Sequence, residues 1–157
     1  MSYIHCIITR FSYRFRKDDL VDKLLAPERL DHRFKIFENF CLPSILNQLN
    51  NKFYWILIID PLLPQRYINH LEEIAKNHEN SNRYPTRGPR KIILHKWDYD
   101  HDKLDRTDWV LSYFDMTPKF LITTRLDDDD ALAKNFVKDV QAELTSGNIS
   151  SFRYLTF

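Results

Sequence analysis

The sequence contains only two glycines and two cysteines among its 157 residues. Glycine-rich phosphate loops of the type G-x-x-x-x-G-K-[ST] are therefore absent. Cys6 and Cys41 stand far apart in apolar surroundings and lack the spacing of a zinc site or a redox motif. We expect two buried free thiols, which fits a reducing compartment.

The sequence also lacks an excess of charge and any long apolar run. It has 23 basic and 22 acidic residues, with a formal net charge of +1. A balanced chain has no general attraction to nucleic acid, so we expect no nucleic-acid partner. No apolar run reaches the roughly 18 residues of a membrane span, and the start, MSYIHCIITRF, lacks the pattern of a signal peptide. These features favour a cytoplasmic or membrane-peripheral protein with its charge-based function confined to one site.

Strand-like and helix-like segments alternate along the chain. The length and the 43% of hydrophobic residues suffice for a single domain over residues 1–157. Short runs of β-branched and aromatic residues predict four strands, at 3–9, 53–60, 91–95 and 119–126. This order predicts an α/β fold with a mostly parallel sheet flanked by helices.

Apolar residues at three- and four-residue spacing predict the helices. The longest stripe predicts one buried face formed by Phe34, Phe37, Phe40, Cys41, Ile45, Leu46 and Leu49. Pro43 should kink this helix or split it in two. Further helices are predicted after Pro64, over residues 106–115, and over residues 132–144 with a stop at Gly147. The last nine residues, ISSFRYLTF, predict a fifth strand.

Four consecutive aspartates, residues 127–130, directly follow the predicted fourth strand. Two unit charges about 4 Å apart repel by roughly 4 kcal/mol at an effective dielectric constant of ~20. A helix N-cap at Asp130 would account for one or two of these carboxylates, but not for four. In an extended chain Asp127 and Asp129 project to the same side, and Mg²⁺ or Mn²⁺ prefers such hard oxygen ligands. We therefore predict a divalent cation on Asp127, Asp129 and Asp130, with Asp128 on the opposite side.

Polar residues follow three of the predicted strands. Thr9 and Arg10 come at the end of the first strand, Asp60 ends the second, and the aspartates follow the fourth. Ligands of parallel α/β sheets bind beyond the carboxyl ends of the strands, so this edge is the predicted binding site. The basic, aromatic residues 11–17 suit single-stranded nucleic acid, but the lack of overall positive charge counts against it. They otherwise suit either a loop around a diphosphate or packing against the sheet.

Three segments resemble a known family when they are taken together. These are HCIITRFSYRF, RFKIFENFCLPSILNQLNNKFYWILIID and TTRLDDDDAL, in this order. They resemble the putative rhamnosyltransferase family, a group similar to the family 2 glycosyltransferases, over residues 3–157. RLDDDD resembles the D-x-D motif of nucleotide-sugar glycosyltransferases with the GT-A fold, which is Rossmann-like. The resemblance implies the metal-dependent transfer of a sugar, rhamnose by the family name, from a nucleotide-sugar donor to a hydroxyl of a glycan or another acceptor.

The resemblance also implies roles for residues of the first two strands. Thr9 and Arg10 would lie near the nucleotide. Asp60 occupies the place of the family 2 aspartate that contacts the base. Pro61 follows it, where family 2 enzymes often carry a second acidic residue.

Further roles fall on the segment around the aspartates. Asp127 and Asp129 would form the D-x-D pair and contact the ribose and the metal that bridges the diphosphate. Arg125 has two readings: it either adds positive charge near the phosphates or forms a surface salt bridge with a neighbouring aspartate.

The general base of inverting GT-A enzymes lies well downstream of the D-x-D motif, and only 27 residues follow Asp130. We therefore assign no catalytic base and expect a truncated, nucleotide-binding part of the family's fold. Two alternatives stay open: a non-catalytic nucleotide-binding remnant, and a metal-dependent nucleotidyl or phosphoryl transferase. An unpaired last strand would leave a sheet edge through which a homo-oligomer could form.

Overall fold

The computed structural model describes residues 2–14, 20–81, 87–97 and 108–146. Its strands are β1 (Tyr3–Phe11), β2 (Tyr54–Ile59), β3 (Ile92–Lys96) and β4 (Phe120–Asp127). Its helices are α1 (Val21–Leu24), α2 (Pro27–Ile36), α3 (Leu42–Leu46), α4 (Gln65–Ser81), α5 (Asp108–Leu111) and α6 (Phe136–Ser146), and a π-helical turn (Phe37–Cys41) joins α2 to α3. The predicted fifth strand lies outside the described residues.

The four strands form one parallel sheet in the order β3-β2-β1-β4. This confirms the predicted α/β fold, with a Rossmann-like parallel sheet flanked by helices. The chain proceeds from β1 outward to β3 and then returns to the other side of β1 for β4. The strand order therefore reverses between β1 and β4, where open α/β sheets form their ligand crevice. Arg10 of β1 stands directly opposite Asp127 of β4 at this position.

The larger core lies on one face of the sheet. Alternate strand residues point to opposite faces, so every second residue of β1 and β2 meets the helices on this side. The buried residues of this core include Ile7, Phe11, Trp55, Leu57, Leu30, Phe34, Phe37, Leu71 and Val137. A smaller cluster on the other face contains Ile4, Cys6, Ile56 and Val110.

Both cysteines are buried free thiols, as predicted. Burial raises the pKa of each thiol to about 12, so neither is a nucleophile near neutral pH.

The long predicted helix is interrupted just before Pro43, as its sequence indicates. The Leu42 N–H bonds to the Phe37 carbonyl, five residues back, in the π-helical turn. Pro43 has no N–H and its ring would collide with the carbonyl of Asn39 in a regular α-helix. We infer that the wider turn relieves this collision.

The π-helical turn also changes which side chains face the core. Phe37 and Cys41 are fully buried, whereas Phe40 is 58% exposed. Leu49 lies beyond the end of α3 and is also exposed. The prediction that Phe40 and Leu49 belong to the buried face is therefore wrong, because it assumed regular α-helical spacing through this region.

The segment between β4 and α6 is a turn followed by irregular chain. α6 begins at Phe136, so Asp130 is not its N-cap, and the predicted start of this helix at residue 132 is wrong. Buried Gln48 holds the segment in place. Its side chain donates to the Ala133 carbonyl at 2.8 Å and accepts from the Val137 N–H at 3.1 Å. The Val137 N–H belongs to the first turn of α6, so Gln48 satisfies a donor that an N-cap side chain would otherwise have to bind.

Among the helices of the described ranges, none combines the length and the apolar composition that crossing a membrane requires.

A buried histidine links β1 to β4 and α6. Gln141 donates to His5 Nδ1 at 3.2 Å, so the ring proton sits on Nε2, which lies 3.1 Å from Thr124 Oγ1. Burial lowers the pKa of His5 from 6.5 to about 4. The folded protein therefore keeps this imidazole neutral in mildly acidic solution, whereas the unfolded chain protonates it.

We expect stability to fall as the pH drops from about 6.5 to about 4, with His5 accounting for about 3 kcal/mol of the loss. Urea unfolding of the wild type and of His5→Gln across this range measures the contribution, with exposed His32→Gln as the control. The wild type should lose more stability than His5→Gln on acidification. Parallel pH profiles would contradict the assignment.

Candidate functional site

The carboxyl ends of β1 and β4 bring three predicted site residues together. Asp127 Oδ1 lies 3.9 Å from Arg10 Nη2 and 3.7 Å from Arg125 Nε. Asp127 is half exposed, and Arg125 is more exposed still. The Arg10 side chain is only 20% exposed, so the Arg125–Asp127 pair is the one open to solvent on both sides. Ion pairs this long, with a half-exposed carboxylate, contribute little to stability and can rearrange around a ligand. The salt-bridge reading of Arg125 is what the structure displays, and it leaves that side chain beside the site.

A second set of ion pairs, formed by Arg33, lies beneath the acidic turn. Asp128 is only 2% exposed and forms an ion pair with Arg33 of α2. Arg33 Nε also donates to Asp128 Oδ2 at 3.3 Å, and Arg33 Nη1 donates to Asp129 Oδ2 at 2.8 Å. One guanidinium thus bridges two neighbouring carboxylates. Arginines therefore supply the positive charge that offsets the repulsion within the aspartate run.

The sequence gives no sign of this role for Arg33. It lies on α2, 95 residues before Asp128, and only the packing of α2 beside the end of β4 brings the two together. An arginine on an amphipathic helix ordinarily indicates a solvated face.

The acidic residues do not continue the extended strand. The Asp130 N–H donates to the Asp127 carbonyl at 3.1 Å, which closes a turn. The prediction that Asp127 and Asp129 project to the same side of an extended chain is therefore wrong. Asp128 differs from its neighbours in being buried, although Arg33 holds it together with Asp129.

The predicted metal ligands Asp127, Asp129 and Asp130 meet part of what a divalent cation needs. In the part of the chain that the structure describes, no group of three His, Cys, Asp or Glu residues is placed to hold a metal ion. Asp127 and Asp129 nevertheless keep half-exposed carboxylates, and Asp130 is exposed. Mg²⁺ is usually bound by one or two carboxylates together with water and substrate phosphates. The donor chemistry fits this mode, and the ion on Asp127, Asp129 and Asp130 stays a prediction.

Thr9 lies inside the core rather than at the sheet edge. Its side chain is fully buried, and its hydroxyl accepts a hydrogen bond from Trp55 Nε1 at 3.0 Å. β1 extends two residues further than predicted, to Phe11, so Thr9 is not its last residue. As placed, its side chain supports the sheet and has no open path to a ligand.

Asp60 is also fully enclosed, at the carboxyl end of β2. Its carboxylate accepts from Arg14 Nε at 2.8 Å, from Arg14 Nη2 at 3.2 Å and from the Leu62 N–H at 2.9 Å. Arg14 is itself buried. The pair fastens the segment that follows β1 across the end of β2.

The chain reaches this pair through a sharp change of direction. Ser12 adopts a left-handed backbone conformation with φ 44° directly after β1. Tyr13 and Arg14 then lie buried against the sheet. Of the two readings of the basic, aromatic segment, packing holds for residues 11–14, and residues 15–17 lie outside the described part of the chain.

Two cavities were found at the other end of the sheet. Their volumes are about 330 and 490 Å³, and both are lined by Tyr54, Phe114 and Met116. They contain none of the predicted site residues, so the candidate site is not part of these cavities.

Comparison with known proteins identifies one family. The model of the family described as putative rhamnosyl transferase matches residues 5–149. This range runs from β1 to beyond α6 and includes all three arginine–carboxylate groups described above. No curated protein and no solved structure matches the chain.

We predict that Arg14 and Asp60 hold the segment after β1 as a buried ion pair. Arg14→Met should destabilise the fold by about 3–5 kcal/mol, because it removes the charged partner of an enclosed carboxylate. Arg87→Met, at an exposed position, should change stability by less than about 0.5 kcal/mol. The measurement is the free energy of unfolding in urea.

A double-mutant cycle isolates the pair. The double variant Arg14→Met with Asp60→Asn should lose less stability than the sum of the two single variants. Arg14→Met alone leaves the Asp60 carboxylate charged and buried without its partner, and Asp60→Asn removes that charge. Strict additivity would show that the two side chains do not act together.

Proposed function

This chain belongs to the putative rhamnosyl transferase family, and we propose that it is a metal-dependent glycosyltransferase whose site lies at the carboxyl ends of β1 and β4. The donor is a nucleotide-activated sugar, and the acceptor is a hydroxyl of a glycan or another molecule. Rhamnose is the donor sugar that the family description suggests. The buried free thiols fit a reducing compartment, and we propose the cytoplasm.

The observation that carries the proposal is the alignment of Arg10, Asp127 and Arg125 at the reversal of strand order. A diphosphate brings several negative oxygens, and two guanidinium groups offer donors in the planar geometry that phosphate accepts. The same position is where Rossmann-like sheets bind nucleotides. Arg10 and Arg125 are therefore the proposed phosphate-binding residues.

Asp127 is the proposed ligand of the cation that accompanies the diphosphate. In the described structure its carboxylate is paired with Arg10 and Arg125. When a diphosphate takes over those arginines, Asp127 is left to bind a cation together with Asp129 and Asp130. A bound Mg²⁺ or Mn²⁺ would neutralise the charge that develops on the departing nucleoside diphosphate. Exchange of these ion pairs makes metal and nucleotide binding mutually reinforcing.

Thr9 and Asp60 support the site indirectly in this proposal. Asp60 holds Arg14, and with it the chain that leaves β1 beside Arg10. Thr9 fixes Trp55 in the core below the same strand. Neither enclosed side chain needs to touch the nucleotide for the site to form.

Among the described residues we assign no general base. The acceptor hydroxyl must lose a proton during transfer, and a carboxylate usually takes it. The proposal for the described residues is therefore limited to donor binding and to stabilisation of the leaving diphosphate.

Thermal unfolding with UDP, GDP and dTDP, each with and without Mn²⁺, tests the proposal. A cognate nucleotide with Mn²⁺ at about a hundredfold excess over its Kd should raise the Tm by about 5–10 °C. Asp127→Asn should abolish most of the dependence on Mn²⁺. Asp115→Asn, an exposed change that precedes β4 at the opposite end of the sheet, should leave it unchanged.

The proposal would be contradicted by a Tm that stays constant with all three nucleotides, or by an Asp127→Asn protein that responds to Mn²⁺ as the wild type does.

A further inference from the structure

We propose that the Arg33 guanidinium sets the affinity of the acidic turn, residues 127–130, for a divalent ion. It does so by competing for Asp129 while it remains anchored to Asp128. This inference rests on the proposed metal site and assigns a controlling residue to it.

The geometry gives Arg33 two unequal partners. Asp128 is 2% exposed and receives both Nε and Nη2 of the guanidinium, whereas Asp129 is half exposed and receives only Nη1, at 2.8 Å. A buried carboxylate is costly to leave without its charge partner, so the Asp128 contact is the firm one. The Asp129 contact is a solvent-exposed ion pair of small worth, so a divalent ion can displace it.

Because its contacts with Asp128 and Asp129 differ in strength, Arg33 has two separate effects on the turn. While Asp128 retains Arg33, the turn keeps its shape as Asp129 changes from one cation to the other. Arg33 thus lowers the affinity of Asp129 for a divalent ion. In the metal-free protein it also offsets the repulsion among the carboxylates, which would otherwise open the turn.

The test uses a double variant that conserves net charge. Arg33→Gln with Asp128→Asn removes one positive and one negative charge, so a change in affinity cannot come from the overall charge. It also avoids leaving Asp128 ionised and buried without Arg33. Mn²⁺ alone is the probe, and the electron paramagnetic resonance signal of the free ion measures its Kd.

The double variant should bind Mn²⁺ about two- to fivefold more tightly than the wild type, the factor that corresponds to one exposed ion pair. The matched control is Arg66→Gln with Asp31→Asn, which removes an exposed arginine–aspartate pair whose atoms lie 3.9 Å apart. This control should leave the Kd unchanged.

A second variant covers the case in which the double variant does not fold. Arg33→Lys keeps a positive charge against Asp128, but an ammonium cannot reach two carboxylates with a planar fork. It should tighten Mn²⁺ binding in the same direction.

Two negative results have different meanings. An equal or weaker Kd in both Arg33 variants, beside measurable binding by the wild type, would overturn the role of Arg33 and leave the metal site standing. No binding of Mn²⁺ alone by the wild type or any variant would overturn this inference. The metal dependence of the proposed function is decided separately, by thermal unfolding with nucleotide and Mn²⁺ together.

Discussion

Four adjacent carboxylates can stand at the end of β4 because arginines pair with three of them from two sides. Arg33 reaches the turn from α2 and pairs with Asp128 and Asp129. On the sheet side, Arg10 and Arg125 face Asp127. The pairing with buried Asp128 fixes the turn, while the exposed pairs are weak enough to be exchanged. The proposed chemistry depends on this difference between one firm contact and several replaceable ones.

The parallel sheet gives these charges a common location. Its order places β1 between β2 and β4, and the strand order reverses beside Arg10. The segment after β1 is held by Arg14 and Asp60, and the segment after β4 is held by Gln48. Both chain segments that border the crevice are thus anchored by buried polar contacts. Anchoring of this kind lets exposed side chains meet a ligand without a large loss of backbone freedom.

The sequence predicts the strands and the fold class well, because short β-branched runs and their alternation with helices are local patterns. It predicts a break near Pro43 for the same reason, since the missing N–H is a property of that residue. It does not predict that Phe40 turns outward, because this follows from the hydrogen-bond shift of the π-helical turn. The bond between Thr9 and Trp55 of the neighbouring strand, and the pairing of Arg33 with Asp128, join residues far apart in the chain. Such long-range packing leaves no local signal in the sequence.

The proposed function depends on the binding of a divalent ion with a nucleoside diphosphate at the carboxyl ends of β1 and β4. Paramagnetic broadening of the backbone amide signals, when Mn²⁺ is added in the presence of a nucleoside diphosphate, locates the bound ion. We expect Arg10 and residues 125–130 to lose signal first, with smaller effects at Ser12. Broadening centred on Tyr3 and Phe120, at the amino ends of the same strands, or no localised broadening at all, would contradict the proposed function.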